Sequence, residues 1–333
     1  MAIAGNDTLL AREIQRVLAE QAPDMAVSLV GDDADSTILT ERNGEPVVIR
    51  ALDEAAVAKA DVVILTGDRE SCAGALEIAS GASAKPAILD MTTGADDTPG
   101  SRISAPLAVP DGLAQETGLI HQVAHPAAAV LAEFLCRLHA ASPVRRSVAH
   151  VFAPASERGR RGIDELQKQT VGVLSFKPLP QEVFDTQLAF AMLPAYGVGA
   201  SVSLQSVEAQ IGRHVCLLLG RVGAIPAPSL RLIQAPVFHG HSFSLWVEFE
   251  GPVSAPGLAA SLAGDRIEVR GADEEPATNT GVAGLRGMIV SRIESDPREP
   301  NAAWFWIVAD SHRVAADNAA CLARLLAPGE GSA

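Results

Sequence analysis

Four features of this chain carry residue types that can do chemistry: His239 and His241 in "FHGHS", Cys72 after "DVVILTG", the carboxylates Asp32, Asp33 and Asp35, and the helix start at His125-Pro126. A thiol near a helix start can be held as thiolate by the helix dipole and act as a nucleophile. An imidazole can serve as a base near neutral pH. A carboxylate after the second strand of a parallel α/β unit can bond the ribose hydroxyls of a dinucleotide. Cys72 has no identifiable partner base, which counts against a nucleophile. The turn at "HPAAAV" stands where α/β enzymes often place a reactive group, yet it holds Ala127, Ala128 and Ala129.

The elements that would position these residues follow from periodicity. "MAIAG", "MAVSLVG", "PVVIRAL", "DVVILTG" and "KPAILDM" read as strands, separated by the helical runs "LLAREIQRVLAEQAP", "DEAAVAKA" and "ESCAGALEIASGA". In the first helix Leu10, Ile14, Val17 and Leu18 fall on one side. Such alternation predicts a parallel, helix-covered sheet of Rossmann type. Later, "RRSVAHVFAPAS", the two halves of "SLRLIQAPVFHGHSFSLWVEFEG", "AGLRGMIVSRIESD" and "AWFWIVAD" read as strands, with helices at "ERGRRGIDELQKQTVGVL" and "SHRVAADNAACLARLLAP". That pattern predicts a mixed-sheet α+β second domain.

A dinucleotide turn needs glycines for a sharp bend, close approach to the pyrophosphate and tight packing of helix on sheet. "AGNDTLLAREI" supplies Gly5 but has Thr8 and Ala11 where later glycines are wanted, and Asp7 adds a negative charge at the helix start. Gly5, Thr8, Ala11 and Asp32 are therefore weak cofactor-binding candidates. The acidic cluster would repel a 2′-phosphate, so NADP is disfavoured and NAD is expected to bind only weakly, if at all.

With 333 residues, the chain is long enough for about two domains. Its net charge of −14 disfavours nucleic acid and anionic membrane as partners. The apolar runs are short and no leader pattern opens the chain, so a soluble, cytoplasmic protein is expected. The four cysteines form no C-x-x-C pair; Cys136, Cys216 and Cys321 lie in apolar helical patterns and read as small buried hydrophobes. No metal site is expected.

"EVFDTQLAFAMLPAYG", "LIQAPVFHGHSFSLWVEFE" and "AWFWIVADSHRVAADNAACLARLL" resemble signature segments of the aspartate-semialdehyde dehydrogenases. "GRRGIDELQKQT" and "IQAPVF" are more similar still to the Usg-type paralogues of that family. The resemblance runs over essentially the whole chain. It implies a Rossmann-type domain over 1–126, a substrate and dimerisation domain over 127–312, and a helix over 313–333 that returns to the first domain. It also implies a homodimer. The segment "FDTQLAFAML" is consistent with that, since Phe184, Leu188 and Phe190 read as exposed apolar residues.

In the resembled family a cysteine adds to the aldehyde, a histidine is the base, hydride goes to NADP, and phosphate cleaves the thioester. The family form Asn-Pro-Asn-Cys matches His125-Pro126-Ala127-Ala128, so Ala128 stands at the nucleophile. The positioning glutamine corresponds to about Ala153 and the carboxylate-binding arginine to Gln234. His241 alone is retained; His239 and Arg213 are nearby candidates without an assigned place. Two readings follow. One is an inactive homologue serving as a dimeric scaffold, a regulator or a metabolite-binding protein, with a small metabolite or a partner enzyme as its associate. The other is a divergent NAD-dependent oxidoreductase acting on an aldehyde or semialdehyde in amino-acid biosynthesis.

Overall fold

Short, fully apolar strands need cover on both faces, and the first part of the chain provides it with intervening helices. A computed structural model describes the chain except residues 6–7, 32–37, 43–44, 52, 68–70, 84, 93–97, 99, 110–119 and 328–333, and the side chains of 38–42, 45–51 and 71–72. The chain divides into two units, Met1–Ala124 with Ala315–Ala333, and His125–Val314.

In the first unit the chain runs β1 (Ala2–Ala4), α1 (Leu9–Gln21), β2 (Ser28–Gly31), β3 (Ile38–Arg42), β4 (Glu45–Ala51), α2 (Glu54–Val57), β5 (Val62–Leu65), α3 (Ser71–Gly81), β6 (Ala87–Asp90), β7 (Ser101–Ser104) and β8 (Ile120–Val123). Among the described residues the sheet has the order β3-β4-β2-β1-β5-β6-β8-β7. Every pair in it is parallel except β3 with β4 at the edge. The Rossmann-type expectation holds; strand β3 is an addition to it. It pairs antiparallel with β4, Ile38 against Ile49 through Arg42 against Glu45. Of the predicted stripe of α1, Ile14, Val17 and Leu18 join Ile3 and Ile64 in one core, Leu10 packs partly buried against it, and Ala11 is added to it. The last helix contributes Ala316, Ala319, Ala320 and Ala323 to the same core. It is tied there by Gln21 Nε2 donating to Asp317 Oδ1 at 2.8 Å.

The second unit runs α4 (Pro126–Ala141), β9 (Val144–Ala153), a 3-10 turn (Ala155–Arg158), α5 (Gly159–Leu174), α6 (Leu204–Val222), β10 (Ser229–Gln234), β11 (His241–Phe249), α7 (Ala255–Leu262), β12 (Ile267–Val269), β13 (Met288–Ser295) and β14 (Ala302–Ala309). Helix α8 (Ser311–Leu326) follows and crosses the unit boundary. The six strands described are ordered β10-β9-β11-β14-β13-β12, with both parallel and antiparallel pairs, which is the α+β domain expected. Alternation sets its two faces. Ala149, Val151, Phe243, Leu245, Phe305 and Ile307 are buried, and Phe134 of α4 packs edge-on against Phe305 at 5.1 Å. Each such large apolar side chain contributes about 1.5–3 kcal/mol on full burial. The other face carries Val148, Trp246, Trp304 and Trp306; Trp304 is 38 % exposed.

Two expectations are corrected here. Phe184 and Leu188 are fully buried, and of the three apolar residues named for that segment Phe190 alone is exposed. The cause lies on α5. The Glu165 carboxylate accepts from the backbone N–H groups of Glu182, Val183 and Phe184, and Gln169 Oε1 accepts from those of Leu188 and Ala189. These bonds draw the irregular segment onto the helix and seat both side chains against Leu166 and Ala155. Cys216 is exposed rather than buried, while Cys136 and Cys321 are half-buried. Among the described residues no helix is long and apolar enough to cross a membrane.

Candidate functional site

The site is built from the second unit. His125 caps α4: its Nδ1 accepts from the Ala127 N–H at 3.2 Å, and Pro126 takes the first helical position, where a missing N–H costs nothing. An accepting Nδ1 leaves the proton on Nε2, which donates to Glu157 Oε1 at 2.8 Å. The His125 backbone N–H donates to His214 Nδ1 at 3.0 Å. Glu157 lies in the 3-10 turn. That turn is fastened to the β10–β11 connection by Ala155 N–H to Val237 O and Ser156 N–H to Phe238 O. His241 opens β11 and donates from Nε2 to Glu157 Oε2 at 3.0 Å. One carboxylate thus holds two imidazoles, one on each oxygen, with the rings edge to face at 5.9 Å.

The cluster is nearly dry: the side chains of His125, Glu157 and His241 are 9 %, 10 % and 1 % exposed. Burial pushes the Glu157 carboxyl up, but the two imidazole partners outweigh it and hold the group well below the usual carboxylate range. Burial pushes the His125 imidazole down, against the pull of Glu157. The consistent state near neutral pH is an ionised Glu157 accepting from a neutral His125 and from His241.

Gln234 ends β10 opposite Ala153 of β9. Its Nε2 donates to Ala153 O at 2.9 Å and to Ala235 O at 3.1 Å, and its Oε1 accepts from the Tyr196 hydroxyl at 2.6 Å. The residue is fully buried. Tyr196 stays protonated, as a donor must, because burial pushes its phenol up. Ala128 is fully buried in the first turns of α4.

The structure therefore brings together the cap before Ala128, Ala153, Gln234 and His241. Sequence reasoning missed Glu157, Tyr196 and the role of His125. The remaining candidates lie apart from this cluster or make other contacts. His239 is exposed, with its backbone carbonyl accepting from Asn279 Nδ2 and its ring 6.3 Å from that of His312. Arg213 lies on α6. Cys72 falls within α3, but its side chain is outside the described residues, as are Asp7, Asp32, Asp33 and Asp35. The Cys136 thiol is pushed up to about 11 by burial and by Glu133, so it is no thiolate at neutral pH. Among the described residues no group of His, Cys, Asp and Glu could hold a metal ion.

In the first unit, Gly5 has φ +82°, and a Cβ on it would come within 2.3 Å of the Gly67 backbone nitrogen. Thr8 caps α1, accepting from the Ala11 N–H at 3.0 Å and donating to Gly5 O at 3.2 Å. Ala11 is a core residue of the unit.

Comparison with known proteins agrees with this architecture. A USG-1 protein homolog of Pseudomonas aeruginosa is 33 % identical over 202 residues, 60 % of this chain and 59 % of that protein. An aspartate-semialdehyde dehydrogenase of Rickettsia bellii is 30 % identical over 173 residues, 51 % of this chain and 50 % of that protein. These matches thus span between half and three fifths of the relatives' length. Among solved structures, a probable aspartate-semialdehyde dehydrogenase from Pseudomonas aeruginosa superposes with a TM-score of 0.86 at 24 % identity, covering 98 % of both chains. Aspartate semialdehyde dehydrogenase II from Vibrio cholerae, complexed with ASA, gives 0.84 at 21 %, covering 98 % of this chain and 96 % of that one. Residues 135–314, more than half of the chain, match the family described as semialdehyde dehydrogenase, dimerisation domain, and the chain belongs to that family.

Proposed function

We propose that this protein is a semialdehyde dehydrogenase homologue without thiol chemistry, serving as a homodimeric scaffold, regulatory or metabolite-binding protein. One observation carries the reading: Gln234 is fully spent inside the protein, on Ala153, Ala235 and Tyr196, and His241 is committed through Nε2 to Glu157 while its Nδ1 is buried without a partner. Ala128 has no atom that could form a thiohemiacetal. Gln also lacks the charge and planar fork with which an arginine grips a carboxylate.

The cofactor reading runs parallel. The described part of the first turn does not fit a dinucleotide, because Thr8 has already taken the Ala11 N–H that a phosphate-binding helix start would offer. NADP is expected not to bind, and NAD at best at about millimolar strength. For the homodimer, the family's dimerisation domain and the exposed Phe176, Phe190 and Met192 of the second unit are the support. A monomer in analytical ultracentrifugation at micromolar concentration would refute it.

The deciding assay supplies aspartate semialdehyde, phosphate and NADP to the purified protein. No turnover above a heat-killed control is expected, and none from Ala128→Cys alone, since Gln234 and Ala153 leave substrate unheld. Clear turnover by the unaltered protein would replace this reading with that of an active oxidoreductase.

A further inference from the structure

Helix α5 ends in a turn that most helices of this kind give to glycine. The Phe176 N–H donates to Val173 O and the Lys177 N–H to Gly172 O, the pair of bonds that closes a helix when the residue after its cap is left-handed. Phe176 is that residue, with φ +55°. A Cβ makes this conformation unfavourable. The phenyl ring is 99 % exposed, so no packing offsets the strain. Val171 and Leu174 of the preceding turns are also exposed.

Beside them lies an open cleft of about 420 Å³. Asp164, Lys168 and Val171 line it from α5, and Lys177, Pro178 and Pro180 from the chain that follows. Gly172 lets the two walls approach, since a Cβ there would come within 2.7 Å of Leu179 Cδ2.

Charge selects the occupant. The chain carries a net −14 and four lysines, and two of those lysines are on this cleft. Arg160 and Arg161 continue the exposed stripe of α5 at helical spacing from Asp164. Against these four cations stand Asp164 and, two residues past the cleft, Glu182. Two copies of this face brought together would set cation against cation, and the homodimer proposed above keeps Phe190 and Met192 as exposed apolar contacts. A flat anionic membrane would leave the cleft empty, and the net charge opposes it.

We infer that this face of α5 docks an acidic segment of a second protein, with Leu174 and Phe176 packing on its apolar residues and Lys168 and Lys177 meeting its carboxylates. This deepens the scaffold reading above and rests on it only in taking the partner to be another protein.

A phage library of random short peptides, selected on the full chain, tests it; enriched peptides are then titrated in labelled form by fluorescence anisotropy. They are expected to combine Asp or Glu with large apolar residues and to bind more weakly as salt rises. Lys168→Glu/Lys177→Glu should weaken them at least about tenfold. Phe176→Gly separates docking from folding. It should also weaken them at least about tenfold, yet raise the midpoint of urea unfolding, because glycine takes the left-handed turn without strain. No enrichment, or binding unchanged in both variants, overturns the docking face. A midpoint lowered by Phe176→Gly would make the ring a structural part of the turn and remove it from the site. Monomers of Phe176→Gly, where the unaltered protein sediments as a dimer, would give the face to a second copy. Flotation with phosphatidylserine vesicles that is lost in the lysine variant would give it to a membrane. Either result overturns the proposal. Turnover of a semialdehyde would sink the inactive reading and leave these titrations standing.

Discussion

The Glu157 centre and the turn from Gly5 to Ala11 are both closed by internal hydrogen bonds, but in different ways. At Glu157 the closure joins residues far apart in sequence, 32 residues to His125 and 84 to His241, around a nearly dry carboxylate. At Thr8 it is a helix cap within three residues, at a half-buried side chain. The first is a buried charge whose partners cannot be removed singly without leaving an unpaired group. The second is a local bond that water can partly replace. The comparison predicts a large, pH-dependent effect from one region and a small one from the other.

The largest effect is expected for Glu157→Leu. It strips both imidazoles of their acceptor and should cost about 2–6 kcal/mol, since each of the two buried N–H donors left unsatisfied costs about 1–3 kcal/mol. Glu157→Gln keeps the shape and an acceptor oxygen and should cost less. Urea unfolding followed in the second unit by Trp246, Trp304 and Trp306, the three tryptophans of the chain, reads both. A loss below about 1 kcal/mol for the leucine variant would show that the two closures are alike in strength.

Acid should sharpen the contrast. The His125 imidazole is pushed down in the folded protein, so folding disfavours its proton; its contribution is complete above the unfolded value of about 6.5 and is lost as pH falls below it. The Glu157 carboxyl is also held low, so its contribution is complete above about 4.5 and is lost as pH falls further. The two losses add in the same direction. Protonating His125 also places an N–H against the Ala127 N–H that it caps. Stability of the second unit should therefore decline from about pH 6.5 downward. His125→Asn, which can still cap a helix but does not titrate, should remove the upper part of that decline. A decline unchanged in this variant would assign it to other groups.

What the sequence disclosed follows the same division. Local features were legible: the Pro126 helix start, the amphipathic face of α1 and the alternation of β9 and β11 all depend on neighbours within a few residues. The Glu157 centre was not, because nothing in "APASERG" marks which carboxylate will meet two distant histidines; the sheet register and the fastening of the 3-10 turn to Val237 and Phe238 decide that. Phe184 and Leu188 failed for a related reason. In an irregular segment there is no period from which to read inside and outside, and the bonds from Glu165 and Gln169 set the answer. Likewise Cys216 lies in a helix as expected, but on its exposed side.

The smallest effect is expected at Thr8. Its side-chain oxygen satisfies one N–H of the first turn of α1, and removing a cap of this type costs about 1 kcal/mol. Thr8→Ala should lower stability by roughly that amount. Thr8→Gly should lower it by only a few tenths of a kcal/mol, because glycine is itself an acceptable cap residue. The glycine variant also separates two explanations of weak nucleotide binding. If the branched side chain alone blocked the turn, Thr8→Gly would gain NADP affinity. The acidic residues Asp7, Asp32, Asp33 and Asp35 remain in that variant, however, and on the sequence reading they are expected to oppose the pyrophosphate and the 2′-phosphate whatever stands at position 8. Thr8→Gly is therefore expected to leave calorimetric titrations with NADP without heat, as in the unaltered protein. Micromolar binding by this single variant would make the cap, rather than charge, the element that closes the first unit to nucleotide.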